Sequence, residues 1–115
     1  MNQASAARIF ESLASGLRLE IFRLLVRQGK RGMVAGEIAV ALDLPPNNLS
    51  FHLKALNHAG LVSAEQEGRF QRYRANLPLM FELVDYLTAE CCAGNPGECA
   101  DLRCNTSQSA NPMGE

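Results

Sequence analysis

Cys91, Cys92, Cys99 and Cys104 fall within 14 residues, and the 90 residues before them hold no cysteine. Structural core cysteines scatter along a chain, whereas these cluster. The N-terminus has no apolar secretory segment, so a cytoplasmic chain is expected, and a disulfide framework is not. Clustered cysteines in that setting read as soft-metal ligands or as redox thiols. A second group of residues suits a different chemistry. Between Pro46 and Ala59, Asn47, Asn48 and Ser50 offer paired donors and acceptors, Phe51 offers an apolar face for a thymine methyl, and Lys54 offers a charge for a phosphate. Arg69, Arg72 and Arg74 follow in a third cluster, where cations can neutralise phosphates or enter a minor groove.

The elements that must position these groups are legible from apolar spacing. Ile9, Phe10, Leu13 and Ala14 mark an amphipathic helix over Ala6 to Ala14. Ser15 can cap a second, in which Leu17, Ile21, Leu24 and Leu25 form the buried stripe before Gln28-Gly29 ends it. Lys30-Arg31-Gly32 reads as a loop. Ala35 to Leu42 reads as a short third helix with no good N-cap before it. Pro46 then suits the first turn of a fourth helix, whose stripe is Leu49, Leu53 and Leu56. Two helices joined by a turn of about three to four residues make a helix-turn-helix, with Asn47, Asn48 and Ser50 on the leading turn of its reading helix.

Leu61 to Gln66 and Phe70 to Asn76 are short extended segments, with Gly68 available for the positive φ of a hairpin turn. That hairpin is a wing. Met80, Leu83, Val84 and Leu87 define a fifth helix reaching about Cys91, and Gly94-Asn95-Pro96-Gly97 then turns the chain. The expected fold is mainly helical: a winged helix-turn-helix of five helices and a two-stranded wing, with residues 1–92 as the DNA-binding and dimerisation domain. Residues 93–115 form a cysteine-containing tail, partly disordered.

Totals agree with placement. Net charge is −1, but residues 1–76 carry ten Lys/Arg against six acids, and residues 77–115 carry one against six. The halves are therefore +4 and −5, a basic working surface beside an acidic module. No apolar run approaches the roughly 20 residues of a membrane helix, so no membrane partner is expected. Nor is an enzyme or an organic cofactor: there is no phosphate-cradling glycine loop, no evident acid pair and no nucleophile beside a base.

The strings FESLASGLRLEIFRLL at 10–25, NNLSFHLKALNHAGLV at 47–62 and EGRFQRYRAN at 67–76, in this order, resemble the ArsR/SmtB family of metal-responsive repressors. The likeness covers roughly residues 8–92. It implies a homodimer formed by the first and fifth helices, with one reading helix from each subunit in successive major grooves of operator DNA. Phe10, Leu13, Met80, Phe81, Val84 and Leu87 provide the apolar surface for such a pairing, unless those helices pair internally. The family's third-helix cysteine site is absent from Gly32 to Glu37, and a zinc site of the fifth helix would need a histidine beside Glu82 and Asp85.

What remains, Cys91-Cys92 with Cys99, is similar to a minority pattern of the family that binds As(III) or Sb(III) as inducer. Trivalent arsenic is soft and prefers three thiolates. Neighbouring helical residues point about 100° apart, so Cys91 and Cys92 converge only where the helix end unwinds. Cys104 is a possible extra ligand, because its longer loop costs only about a few tenths of a kcal/mol more. A helix C-terminus disfavours a thiolate, which favours deprotonation by a metal over an intrinsically reactive thiol. A disulfide redox switch, a cadmium- or zinc-responsive site, a structural zinc, incidental surface thiols and a winged-helix module that binds protein stay open as alternatives.

Overall fold

A computed structural model describes residues 1–91; the predicted ligands Cys92, Cys99 and Cys104, with the predicted tail at 93–115, lie outside the described residues. Met1–Val84 form one compact unit, and Asp85–Glu115 group separately.

Helix α1 (Gln3–Leu13) starts three residues before the apolar spacing suggests, because the Asn2 side chain caps it, accepting from the Ser5 N–H at 2.8 Å. Helix α2 (Gly16–Gln28) is capped by Ser15 as expected, its Oγ accepting from the Arg18 N–H at 3.4 Å. A 3₁₀ turn (Gly29–Arg31) then leads to strand β1 (Met33–Val34) and helix α3 (Ala35–Leu42). No capping side chain precedes α3. Instead Glu37 reaches back, its Oε1 accepting from the Val34 N–H and its Oε2 from Arg31 Nη2, both at 3.1 Å. The Val34 bond holds the Glu37 carboxyl below the ordinary carboxylate range against an opposing desolvation, with help from Arg31. This link is therefore present at neutral pH and is lost as acid protonates Glu37.

Helix α4 (Pro46–His58) has Pro46 at its first position, as expected. Strands β2 (Val62–Glu67) and β3 (Phe70–Ala75) form the antiparallel hairpin, Glu67 facing Phe70 across a Gly68-Arg69 turn in which Gly68 takes φ 63°. The wing is wider than expected. β1 adds to its far edge, giving the order β1-β3-β2 with Met33 opposite Tyr73 and Val34 opposite Arg72. Gly32 makes this possible: its φ is 62°, and a Cβ there would collide with the Tyr73 carbonyl oxygen.

Helix α5 (Leu77–Leu87) is anchored by Asn76, whose Oδ1 accepts from the Leu79 N–H at 3.3 Å while its Nδ2 donates to the Gly60 carbonyl at 2.8 Å. The helix stops four residues short of the expected end. Thr88–Glu90 form a turn, Glu90 adopts φ 58°, and the Cys91 N–H bonds the Thr88 carbonyl at 3.0 Å. Bonds of the i→i+3 kind from Ala89 to Tyr86 and from Cys91 to Thr88, with left-handed Glu90 between the donors, interrupt the α-helix, and the backbone is helical again at Cys91.

The core joins all these elements. Ile21 and Leu25 of α2, Ile38 of α3, Leu49, Leu53 and Leu56 of α4, and Leu61 are fully buried, with Ala6 and Ile9 of α1, Val62 of β2 and Leu83 of α5 completing the cluster. Each fully buried Leu or Ile contributes about 1.5–3 kcal/mol by leaving water.

Two glycines make a controlled pair. Gly32→Ala is expected to destabilise the fold by more than about 2 kcal/mol, from strain and the Tyr73 clash. Gly36→Ala, on α3 with open space around its Cβ, should stabilise by roughly 0.5–1 kcal/mol. Urea unfolding of the two variants against the parent measures both signs.

Candidate nucleic-acid interface

Burial of Leu49, Leu53 and Leu56 turns the opposite side of α4 to solvent, because residues at i, i+4 and i+7 share one face. Asn47, Asn48, Ser50, Phe51 and Lys54 are all exposed, and Phe51 keeps 65% of its surface accessible. No side chain caps the start of α4, where Pro45 and Pro46 stand. Its leading amides and the positive end of its dipole therefore suit an external acceptor such as a phosphate. Asn47 and Asn48 sit beside that end, the part of a reading helix that meets base edges.

Between α4 and the wing runs an open groove of about 350 Å³, lined by Ser50, Lys54 and Asn57 on the helix side and by Gln66, Gln71 and Tyr73 on the sheet side. The two glutamines are cross-strand partners: Gln71 Nε2 donates to Gln66 Oε1, and Gln66 Nε2 to the Gly68 carbonyl, both at 2.7 Å. Sequence reading missed Asn57, Gln66 and Gln71. Asn57 was within reach of it, three residues after Lys54 and so on the same helical face; the glutamines needed the hairpin register.

The three wing arginines take different positions. Arg72 and Arg74 alternate on one side of β3, and Glu65 and Glu67 do so on neighbouring β2, so the pleat sets opposite charges diagonally. Arg72 Nε contacts both carboxylate oxygens of Glu67 at 3.0 Å, and its Nη1 donates to the Arg31 carbonyl at 3.0 Å. Arg74 pairs with Glu65 at 2.6 Å and donates to the Lys30 carbonyl at 2.7 Å. Both guanidinium groups thus tie the wing to the 3₁₀ turn. Arg69, at the exposed hairpin tip, has no ion pair among the described residues, and Lys54 likewise has none. Of the four predicted DNA-contacting cations, these two carry no ion pair among the described residues and so suit a phosphate.

His52 faces inward from α4 and accepts at Nδ1 from Arg18 Nε at 3.1 Å. Burial first, and then the Arg18 charge, hold its pKa below the usual histidine value. It is a packing group, as its place beside the apolar stripe suggests.

Of the predicted thiol ligands, Cys91 alone is among the described residues, half-buried just beyond the α5 turn. Among those residues no three His, Cys, Asp or Glu side chains come together to hold a metal ion, and no helix is long and apolar enough to cross a membrane. Phe10 of α1 and Phe81 and Val84 of α5 are exposed, at 47%, 62% and 46%.

A helix-turn-helix domain model matches residues 13–63 of the chain. A helix-turn-helix-type transcriptional regulator of Mycobacterium tuberculosis is 39% identical over 87 residues, which cover 73% of this chain and 37% of that longer protein. A probable mercury resistance operon repressor of Streptomyces lividans is 29% identical over 103 residues, covering 82% of this chain and 80% of the relative. Among solved structures, the homodimeric winged helix-turn-helix DNA-binding domain (fragment 1–100) of a possible ArsR-family regulator from Mycobacterium bovis superposes with a TM-score of 0.60. It is 35% identical, with 77% of this chain and 82% of that one covered.

The two kinds of wing arginine should separate in a salt titration of DNA binding. Arg69→Ala is expected to weaken binding to any duplex and to reduce the slope of log K against log salt by about 0.9, one phosphate's worth. Arg72→Ala and Arg74→Ala should change that slope by less than half as much, roughly 0.4 or below, because their charges are already matched.

Proposed function

Because this chain belongs to the ArsR family of winged helix-turn-helix transcriptional regulators, a DNA-binding family without enzymatic activity, we propose that it is a cytoplasmic repressor released from its operator by a thiophilic ion. The homodimer grips a pseudo-palindromic operator, one α4 from each subunit entering successive major grooves roughly 34 Å apart. Asn47, Asn48, Ser50 and Phe51 face base edges, and Lys54 and Arg69 meet phosphates; Arg72 and Arg74 support the wing and add to its field. The observation that carries this reading is the exposed polar face of α4, uncapped at its N-terminus and backed by a fully buried leucine stripe.

Dimerisation uses the exposed Phe10, Phe81 and Val84, together with Leu13, Met80 and Leu87. Each is already about half buried, so covering the rest of all three stabilises a pair by roughly half of the about 1.5–3 kcal/mol of a full burial each, before association costs. The homodimeric state of the Mycobacterium bovis domain supports this pairing.

The inducer is As(III) or Sb(III), which Cys91, Cys92 and Cys99 would hold, with Cys104 as a possible extra ligand. Adjacent cysteines on a helix diverge by about 100°, so holding one ion on Cys91 and Cys92 requires the backbone at that pair to leave helical geometry. When bound, such an ion supplies a preference for three soft thiolates that competes with the helix end's own geometry. The chain's part is to lend those sulfurs at the end of the proposed dimer helix, so that capture and the operator-bound arrangement oppose each other. A coupling of about 1–3 kcal/mol is enough to release repression. A second reading is favoured by the Streptomyces lividans mercury repressor, since Hg(II) also selects thiolates.

Promoter-fragment binding with and without arsenite tests the proposal. Cys91→Ser, Cys92→Ser and Cys99→Ser are each expected to leave DNA affinity unchanged and to abolish release by arsenite; a response kept in all three refutes this ligand set. Running Hg(II) beside As(III) distinguishes the two inducers. Sedimentation at micromolar concentration should show a dimer, and Phe81→Glu should shift it to monomer and weaken operator binding by at least about tenfold.

A further inference from the structure

Arg18 stands where three helices meet. Its Nε–H donates to His52 Nδ1 on α4 at 3.1 Å, its Nη1 donates to the Ser12 carbonyl near the end of α1 at 3.3 Å, and its guanidinium carbon lies 5.9 Å from the centroid of the Phe51 ring. The Phe51 and His52 rings meet edge to face, 5.3 Å between centroids and 73° between planes. One side chain therefore joins α1, α2 and the middle of α4.

These contacts restrict what the rest of the α4 packing leaves open. Leu49, Leu53 and Leu56 hold α4 in place by apolar burial, which has no preferred direction and tolerates a small roll of the helix about its axis. A guanidinium is planar, so fixing two of its donors fixes its plane and with it the position of the acceptor. His52 can accept at Nδ1 only as the neutral tautomer with its proton on Nε2. Its surroundings favour that form: burial and the Arg18 charge both disfavour the imidazolium. Among the described residues Arg18 is the charged group acting on this ring; α1 brings the Ser12 carbonyl to the cluster, and α4 itself brings Phe51.

We propose that Arg18 is a positioning residue for DNA recognition, setting the rotation of α4 against α1 and α2 through His52 so that the Asn47, Asn48 and Ser50 face meets the groove in register. The proposal rests on the reading of α4 as the DNA-reading helix. Arg18 acts through His52, and its loss falls on discrimination between sequences more than on general attraction to DNA. Because α1 is also a proposed dimer helix, the same contact carries any shift of the dimer to the reading surface.

The test uses the full chain, the duplex directly upstream of its own gene and a scrambled duplex of equal length. Arg18→Lys keeps the charge but loses the fork. It should bind the upstream duplex about tenfold more weakly, the effect of one lost charge-assisted hydrogen bond, and the scrambled duplex within about twofold of the parent. In a His52→Ala background the same substitution should cost nothing further, since the partner is already gone. His52→Asn, whose amide oxygen can accept from Arg18, should restore binding to within about threefold.

The pH profile gives an independent readout. Parent discrimination should hold through the ordinary histidine range and fall only at more acid pH, because the His52 pKa is lowered; there a proton on Nδ1 replaces the acceptor with a repelled cation, and His52→Asn should stay flat. The exposed His58 is present in both proteins and so does not distinguish them. Arg18→Lys binding the upstream duplex as tightly as the parent, or losses that simply add in the double variant, would overturn the role of Arg18. A parent protein that does not distinguish the two duplexes would overturn the reading of α4 itself, and this proposal with it.

Discussion

Burial of the leucine stripe on α4 is the constraint from which the interface follows. Leu49, Leu53 and Leu56 close against a core that includes Ile21, Leu25 and Ile38, and all six side chains are withdrawn from water almost completely. A helix of thirteen residues that surrenders one face to the core has no choice about the other. Asn47, Asn48, Ser50 and Lys54 are outward because the leucines are inward, and the polar face is as well defined as the packing that opposes it. The wing depends on the same core at one remove: Leu61 and Val62 are buried at its root, so β2 leaves the core beside α4 and the groove between them has fixed walls.

Electrostatics refines this arrangement without creating it. The wing carries three arginines, but two are matched by glutamates on the next strand and occupied with main-chain carbonyls of the 3₁₀ turn. Exposed ion pairs of this sort contribute little to stability, about 0–1 kcal/mol each. Their larger effect is geometric, since they connect the hairpin to the segment that enters β1 and α3. The cationic reach of the wing then concentrates at Arg69, on the tip, where the Gly68 turn places it. Arg18 plays a comparable part on the other side of α4, a charge used for orientation inside the protein.

Local signals in the sequence carried most of the fold. Ser15 before α2, Pro46 at the start of α4 and Gly68 in the hairpin each act through their own backbone or side chain, and each was readable without a partner. Other features lacked such a signal. The Asn2 cap was missed because the apolar period begins later, at Ala6, and the β1 strand because two residues are too few to show alternation. Glu37 took the place of the absent N-cap by reaching back from the third residue of α3, a bond that depends on how Val34 enters the helix.

What the amino-acid order determined by itself is the five helices, the hairpin and their faces, because helical and strand periods are properties of neighbouring residues and their exposure to water. It also determined the chemistry on offer: amides and a lysine on one helix, arginines in one hairpin, four thiols in one stretch. Tertiary structure decided which of these groups are available. Only the strand register could show Glu65 and Glu67 reaching Arg74 and Arg72, and only the packing of α1, α2 and α4 could bring Ser12 and Arg18 together with His52, 34 residues beyond Arg18. Pairings between distant residues are set by how elements dock, and docking is a property of the whole core.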